Sequence, residues 1–337
     1  MIDVLVAGGG PAGLATAIHA ARAGMEAVVV EPRPGPVDKA CGEGLMPSGV
    51  AVLRSMGVEP AGRPLRGIRY LDGPHRAQAD FTGGTGLGVR RTELHAALAR
   101  RAAELGVRTV PGRVTSLRQW DGGVEAAGMR ARWLVAADGL HSPVRALLGL
   151  DLPGGGPRRY GLRRHYAVAP WTDYVEVHWA AGGEAYVTPV GEDLVGVVVL
   201  TSRRGGYAER LREFPALLAR LDRPATTPVR GAGPMRRRVR SRVAGRVLLV
   251  GDAAGYTDAL TGEGISLALL SARALVDCLR AGDPRAYEGA WARLSRRHRV
   301  LTGALLAVRR HRAAARLIVP AAQRMPALFG AAVHALA

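Results

Sequence analysis

Four short stretches of this 337-residue chain carry residue types at spacings that could do chemistry. The first is Gly8-Gly9-Gly10-Pro11-Ala12-Gly13, with Glu31 eighteen residues on and Arg33 beside it. In G-x-G-x-x-G spacing the first glycine makes a tight turn and the second admits a pyrophosphate to the backbone. The third lets a helix pack closely on a strand, and the acid accepts from ribose hydroxyls. The second and third are Asp138-Gly139 and Gly251-Asp252, each directly after an apolar run, with Gly262-Glu263-Gly264-Ile265 behind the latter. A helix starting at that last turn would aim its positive end at one spot. The fourth is the loop Lys39-Ala40-Cys41-Gly42-Glu43-Gly44-Leu45-Met46-Pro47, where Cys41 and Glu43 are candidate proton donors or substrate contacts. That loop also reads as a small, closely packed turn. His165, His178 and Tyr186 are candidate acid/base groups for a phenolic substrate, although lone histidines on a sheet are commonly structural.

The surrounding pattern says what holds these residues. Ile2 to Ala7 is a short apolar strand, Leu14 to Ala23 a helix, and Glu26 to Glu31 a second strand, so the glycine turn sits in a β-α-β unit. Ser48 to Met56 is predicted helical, 66–87 a strand pair, and Arg91 to Leu105 a helix. Val107 to Val110 and Arg113 to Leu117 are predicted strands. Arg132 to Ala137 and Arg246 to Val250 are buried strands that end at the two acid turns. From Tyr160 to Thr201 residues alternate as in an antiparallel sheet, and six of the chain's sixteen aromatics fall there, which suggests a wall for an apolar ligand. Helices are expected over Leu211 to Leu221, Ile265 to Leu279 and much of Pro284 to Ala337. The expected organisation is an α/β dinucleotide domain from 1–65, 88–157 and 236–284, an antiparallel-sheet domain from 66–87 and 158–235, and C-terminal helices over 285–337.

The chain has a formal charge of +19, yet Lys39 is the sole lysine and asparagine is absent. That substitution pattern reads as a coding bias toward GC, so arginine abundance alone says little. No aromatics interleave with the arginines, which argues against nucleic acid. Cys41 and Cys278 have no metal-ligand spacing, and no metal is expected. No leader-like segment precedes the strand at Ile2 and no apolar run approaches spanning length, so a cytoplasmic location is the expectation.

With Asp138 to Arg145, Gly251 to Ala254 and Thr261 to Ile265 in place behind the glycine turn, the chain resembles the aromatic-hydroxylase-type flavoproteins. That superfamily holds the group A flavin monooxygenases, the flavin-dependent halogenases and the geranylgeranyl reductases. The resemblance spans Met1 to about Leu279, and the Cys41-Gly42-Glu43-Gly44-Leu45 loop looks most like the geranylgeranyl-reductase branch. It implies an FAD-binding Rossmann-like domain of the aromatic-hydroxylase type, with non-covalent FAD. It implies that Arg91 contacts the flavin chain, that backbone at Val114 meets adenine, and that Asp138 holds loops near the cofactor. Asp252 is expected on the ribityl hydroxyls, and Gly262, Gly264 and Ile265 at the pyrimidine edge, where a helix N-terminus stabilises anionic reduced flavin. Cys41 and Gly42 are expected beside the ring. The halogenase tryptophan motif is missing, and Tyr186-Val187-Thr188-Pro189 stands where prenyl reductases carry an aromatic F-P motif. No second glycine fingerprint follows a strand, so NADPH or NADH is expected as a transient reductant. The resemblance leaves two reactions open on an apolar small molecule of aromatic, polyketide or isoprenoid type. The favoured expectation is hydroxylation through a flavin C4a-hydroperoxide, and the other is reduction of a C=C bond with Cys41 or a neighbour supplying the proton. A non-enzymatic flavin-binding or membrane-surface role is the third. The arginine-rich tail is expected to pack back on the flavin domain, with peripheral membrane contact as its alternative; the oligomeric state is not readable.

Overall fold

The computed structural model describes residues 1–156 and 158–336. β1 (Ile2–Ala7) leads through the glycine turn into α1 (Pro11–Arg22) and back through β2 (Ala27–Glu31). β2 is buried along its whole length and β1 nearly so, as unbroken Val/Leu/Ala runs with no polar face require. The chain leaves for β3 (Gly67–Asp72) and β4 (His75–Asp80), then returns through α2 (Arg91–Glu104), β5 (Arg108–Pro111) and β6 (Met129–Ala136). It crosses again to β7 (Tyr160–Tyr166), β8 (Tyr174–Ala180), β9 (Gly183–Gly191), β10 (Leu194–Thr201) and β11 (Arg230–Ala232). β12 (Val247–Leu249) and α3 (Gly264–Arg280) bring it back, and α4 (Ala286–Arg309), α5 (Ile318–Arg324) and α6 (Pro326–His334) follow.

The parallel core of the first sheet has the order β12-β6-β1-β2-β5, with Val243–Ala244 and the pair Leu117–Trp120 and Gly123–Ala126 added antiparallel, so both acid turns and the glycine turn leave the same, carboxyl end of the parallel strands. The second has the order β11-β7-β10-β9-β8-β3-β4 and is antiparallel except where β3 lies parallel to β8. Its outer face carries Val187, Val195 and Val197, covered by Tyr207, Leu211 and Phe214. Its inner face carries Ile68, Val177, Tyr186 and Leu200, covered by Val319, Phe329 and Val333 of the tail helices. The Tyr70 and Phe329 rings meet with centroids 4.8 Å apart. Burial of each such side chain contributes about 1.5–3 kcal/mol, enough to dock a short helix that water alone would not keep folded.

Three local expectations are corrected. The helix foreseen over Leu211 to Leu221 is two short ones, Tyr207–Leu211 and Pro215–Leu218, because Pro215 has no N–H to continue the first. The strand foreseen at Arg113 to Leu117 forms later, at Leu117–Trp120, paired with Gly123–Ala126; Val114 instead turns into the core. The tail packs on both layers, α4 against α3 and α5 and α6 against β4, rather than on the dinucleotide-binding layer alone.

Candidate active site

The parallel sheet delivers its loops to one end of a cavity of about 940 Å³ that also runs under the inner face of the second sheet. The glycines at its first end show what the cavity is shaped for. A Cβ on Gly13 would lie 1.9 Å from the Gly8 carbonyl oxygen, and one on Gly8 2.6 Å from that of Ala137, so these two glycines serve strand and helix packing. A Cβ on Gly10 would meet only an Arg91 nitrogen, at 3.6 Å. Packing alone therefore does not demand glycine at 10, whereas a ligand backed onto the α1 N-terminus does. The Gly9 N–H donates to Glu31 Oε2 at 2.8 Å, and Arg33 pairs with the same carboxylate at 2.7 Å. Burial alone would raise the Glu31 pKa; Arg33 and the Gly9 N–H outweigh it and hold the acid below its ordinary value.

Arg91 and Asp252 both face this end. Arg91 Nε is buried without a hydrogen-bond partner, and burial lowers the pKa of its guanidinium. Asp252 has its pKa raised by burial, with Lys39 and Arg91 opposing. An unpaired cation beside a helix N-terminus and a carboxylate free to accept hydroxyls are what a pyrophosphate and a polyol chain require, so the residues fit FAD. Asp138 Oδ2 accepts from the Val144 N–H at 3.0 Å, in the first turn of the helix Pro143–Leu147 that Ser142 caps, while its Oδ1 is buried without a partner beside the cavity. Arg145, buried at 2% exposure, bonds the Ala253 and Leu140 carbonyls and so ties the two acid turns together. Val114 is a core residue, with its neighbour Arg113 lining the cavity.

The Cys41 loop forms the floor between the two ends. Glu43 sits at φ +60°, a conformation that non-glycine residues adopt only when their surroundings enforce it. Its carboxylate supplies that enforcement: Oε1 accepts from the Arg91 N–H at 2.9 Å, and Oε2 lies 2.7 Å from His165 Nε2. Arg163 Nη1 donates to His165 Nδ1 at 2.9 Å, and an arginine has nothing to accept with, so Nε2 carries the proton that goes to Glu43. His165 and Glu43 are thus sealed partners at 1% and 0% side-chain exposure, not groups open to a substrate. Cys41 lines the cavity, its Sγ accepting from the Glu43 N–H at 3.3 Å. Burial raises its pKa, so the thiol stays protonated at neutral pH.

Beyond Cys41 the lining turns apolar, with Ile68, Phe81, Val177, Leu260 and Phe329. Tyr186 faces it, but its hydroxyl donates to the Leu260 carbonyl oxygen. His178 does not reach the cavity. Strand alternation turns it with Glu176 to the far face while Val175 and Val177 face inward, and it lies 3.4 Å from Glu176. Several residues of the site gave no signal in sequence. Tyr70 and Tyr256 line the cavity, and burial, followed by Asp252, pushes the Tyr256 hydroxyl well above its ordinary pKa. Arg159, Glu184, Asp258 and Arg309 form a buried ion network: Arg159 pairs with Glu184 at 2.7 Å and Asp258 at 3.0 Å, and Arg309 of α4 with Glu184 at 2.6 Å. His298 of α4 bonds Glu263 at 2.8 Å and Thr261 at 3.0 Å, so the tail also grips the turn before α3. These ties join residues from 25 to 125 positions apart, and only the fold brings them together.

The family model described as "FAD binding domain" matches residues 1–282. A menaquinone reductase of Mycobacterium tuberculosis is 31% identical over 322 residues, covering 83% of this chain and 77% of that protein. A digeranylgeranylglycerophospholipid reductase of Methanosphaera stadtmanae is 27% identical, covering 80% and 75%. The solved structure of halogenase PltM in complex with phloroglucinol and FAD superimposes with a TM-score of 0.74 at 17% identity, over 88% of this chain and 73% of that one, a likeness of fold alone. The chain belongs to the FAD-binding-domain family and is an FAD-dependent oxidoreductase.

Proposed function

We propose that the protein reduces a C=C bond in a long apolar molecule of prenyl type, reversing the order of the two reactions that the sequence leaves open. The observation that carries this reading is the lining at the substrate end. A phenol hydroxylase needs a base near its substrate. Here His165 and Glu43 are locked to each other, His178 lies on the opposite face and the Tyr186 hydroxyl is engaged. What remains at the junction of the two ends is acidic in function: the Cys41 thiol and the Tyr256 hydroxyl, both held protonated by burial. Saturating an alkene calls for a hydride at one carbon and a proton at its neighbour. FAD bound at the first end and reduced by NADPH or NADH would supply the hydride. Cys41 gives the proton, Arg91, Asp252 and the α1 N-terminus fix the cofactor, and the apolar wall excludes water from the double bond. The likeness to a menaquinone reductase and to a digeranylgeranylglycerophospholipid reductase supports the same reading.

The test is to reduce the enzyme without oxygen and add menaquinone or a geranylgeranyl lipid in detergent. A product that stays two mass units heavier after any quinol has been reoxidised in air is expected, and Cys41→Ala should slow its formation by roughly 10²–10⁴-fold with FAD content unchanged. A product that instead gains one oxygen atom, formed only when O2 is admitted, overturns the assignment in favour of hydroxylation.

A further inference from the structure

The cavity does not close at its apolar end. Val308, Met325 and Leu328 line it and are at the same time 40%, 48% and 63% exposed, so the opening lies between the end of α4 and the two last helices. Leu317, next to the lining residue Ile318, is 59% exposed. Exposed leucines on a rim are costly in water unless something apolar meets them. The charge of the tail's own sequence is one-sided, although Arg309 is spent inside on Glu184. From Gly289 to Ala337 the chain has nine arginines and no aspartate or glutamate. Arg316 and Arg324 stand exposed beside this rim. No helix among the described residues is long and apolar enough to cross a membrane.

We infer that this rim is a docking surface for an anionic lipid bilayer, which seats the cavity mouth on the membrane so that an apolar substrate passes into it without crossing water. The occupant is fixed by two features together. A second protein copy or an acidic protein would satisfy the arginines or the leucines, but neither explains why the apolar rim is itself the mouth of the cavity. Leucines at the level of the headgroup–acyl boundary, flanked by arginines on helices that carry no acid of their own, are the arrangement of an interfacial anchor, and the nearby Asp80 of β4 is paired with Arg66. The inference rests on the proposed function in one respect, the apolar substrate; the surface itself is tested without turnover.

Holoprotein is floated with vesicles of phosphatidylcholine alone and with an equal part of phosphatidylglycerol. Each arginine near an anionic surface is worth roughly fivefold in binding. Strong flotation with the anionic vesicles at low salt is therefore expected, and weak flotation with the neutral ones. Arg316→Gln with Arg324→Gln should lower anionic binding by roughly tenfold or more. Leu317→Asp with Leu328→Asp should lower binding to both kinds, with bound FAD retained as proof of folding. Absence of flotation at low salt, or flotation unchanged in the leucine variant, overturns the inference. So does a dimer in sedimentation that the leucine variant abolishes, since a second copy would then own the rim. Turnover of a detergent-dispersed short prenyl substrate, run in parallel, separates the two readings: turnover without flotation removes only the membrane surface, and flotation without turnover removes only the reductase.

Discussion

At Gly10 the backbone itself faces the cavity, and the space is shaped by that glycine and the N-terminus of one helix, with Gly8 and Gly13 holding strand and helix together behind it. At the other end of the same cavity side chains face inward, contributed by strands of the second sheet, by connecting loops such as those at Met235 and Leu260, and by the helices α4, α5 and α6. The first end is built where the loops of several parallel strands leave one end of the sheet, each carrying its own short motif, and its form follows from chain geometry. The second is built where α5 and α6 meet β4 and the inner face of the second sheet. The difference teaches why one ligand is shared by a whole family while the other is particular: a backbone cradle resists change, whereas a side-chain wall can be re-lined without disturbing any strand.

Several substitutions would break or sharpen that contrast. The largest effect is expected at the cradle. Gly10→Val should remove FAD altogether, read as loss of the yellow chromophore from folded protein; a variant that keeps stoichiometric FAD would show that the pyrophosphate is not held there. Next comes the buried network beneath the wall. Arg159→Met leaves Asp258 without its cation and Glu184 with Arg309 alone, which should cost about 3–5 kcal/mol in chemical denaturation. A cost below 1 kcal/mol would mean that the tail is not fastened through these charges.

The outer face of the wall sheet gives a pH dependence. Burial alone would raise the Glu176 pKa, but His178, Trp171 and Arg69 overcome it and bring it from 4.5 to about 2. With the folded value depressed, the stabilisation is complete above about pH 4.5 and disappears as pH falls to about 2, of the order of 3 kcal/mol in all. Glu176→Gln should flatten that acid limb; an unchanged limb would place the titration elsewhere. Returning to the cradle, Asp252→Ala should weaken FAD binding by about 1–3 kcal/mol in a titration of apoprotein, the range for losing one acceptor of buried hydroxyls. Unchanged affinity would move the polyol chain away from Asp252. The smallest effect is expected at Tyr186→Phe. Loss of its bond to Leu260 should cost about 0.5–1.5 kcal/mol of stability and leave turnover within a few-fold. A hundredfold fall in turnover would make that hydroxyl a participant.

The cradle was legible because its requirements are local. Gly8, Gly10 and Gly13 lie within six residues, and Glu31, Asp138 and Asp252 each stand at the end of an apolar strand that the 4–8-residue run announces. The wall was legible only in outline. Alternation correctly marked Tyr160 to Thr201 as antiparallel strands, yet the same alternation was needed to see that Val177 and His178 point to opposite faces, and which face is inward depends on what packs there. Cys41 and Glu43 are two residues apart, and nothing local says that one opens to the cavity while the other is consumed by His165, 122 positions away. Arg309 read as one arginine among many in a biased composition, although at 2.6 Å from Glu184 it is an internal fastener. Over Leu211 to Leu221 helix periodicity is visible in the sequence, but Pro215 has no N–H to carry a helix through it, and two short helices, Tyr207–Leu211 and Pro215–Leu218, form instead.

The covering of the inner face by Val319, Phe329 and Val333 has a consequence during synthesis. The strands that carry Tyr70, Trp179 and Tyr186 leave the ribosome well before those three residues do, and at ordinary elongation rates the interval is roughly ten to thirty seconds. In the last part of it, once β12, Asp252 and α3 have been made, the nascent protein presents an aromatic sheet face with nothing on it while the cradle is already nearly complete. FAD therefore has the means to bind before the substrate chamber exists, and a stall or truncation anywhere in α5 or α6 would yield a coloured protein with its stickiest surface uncovered, a natural client for chaperones.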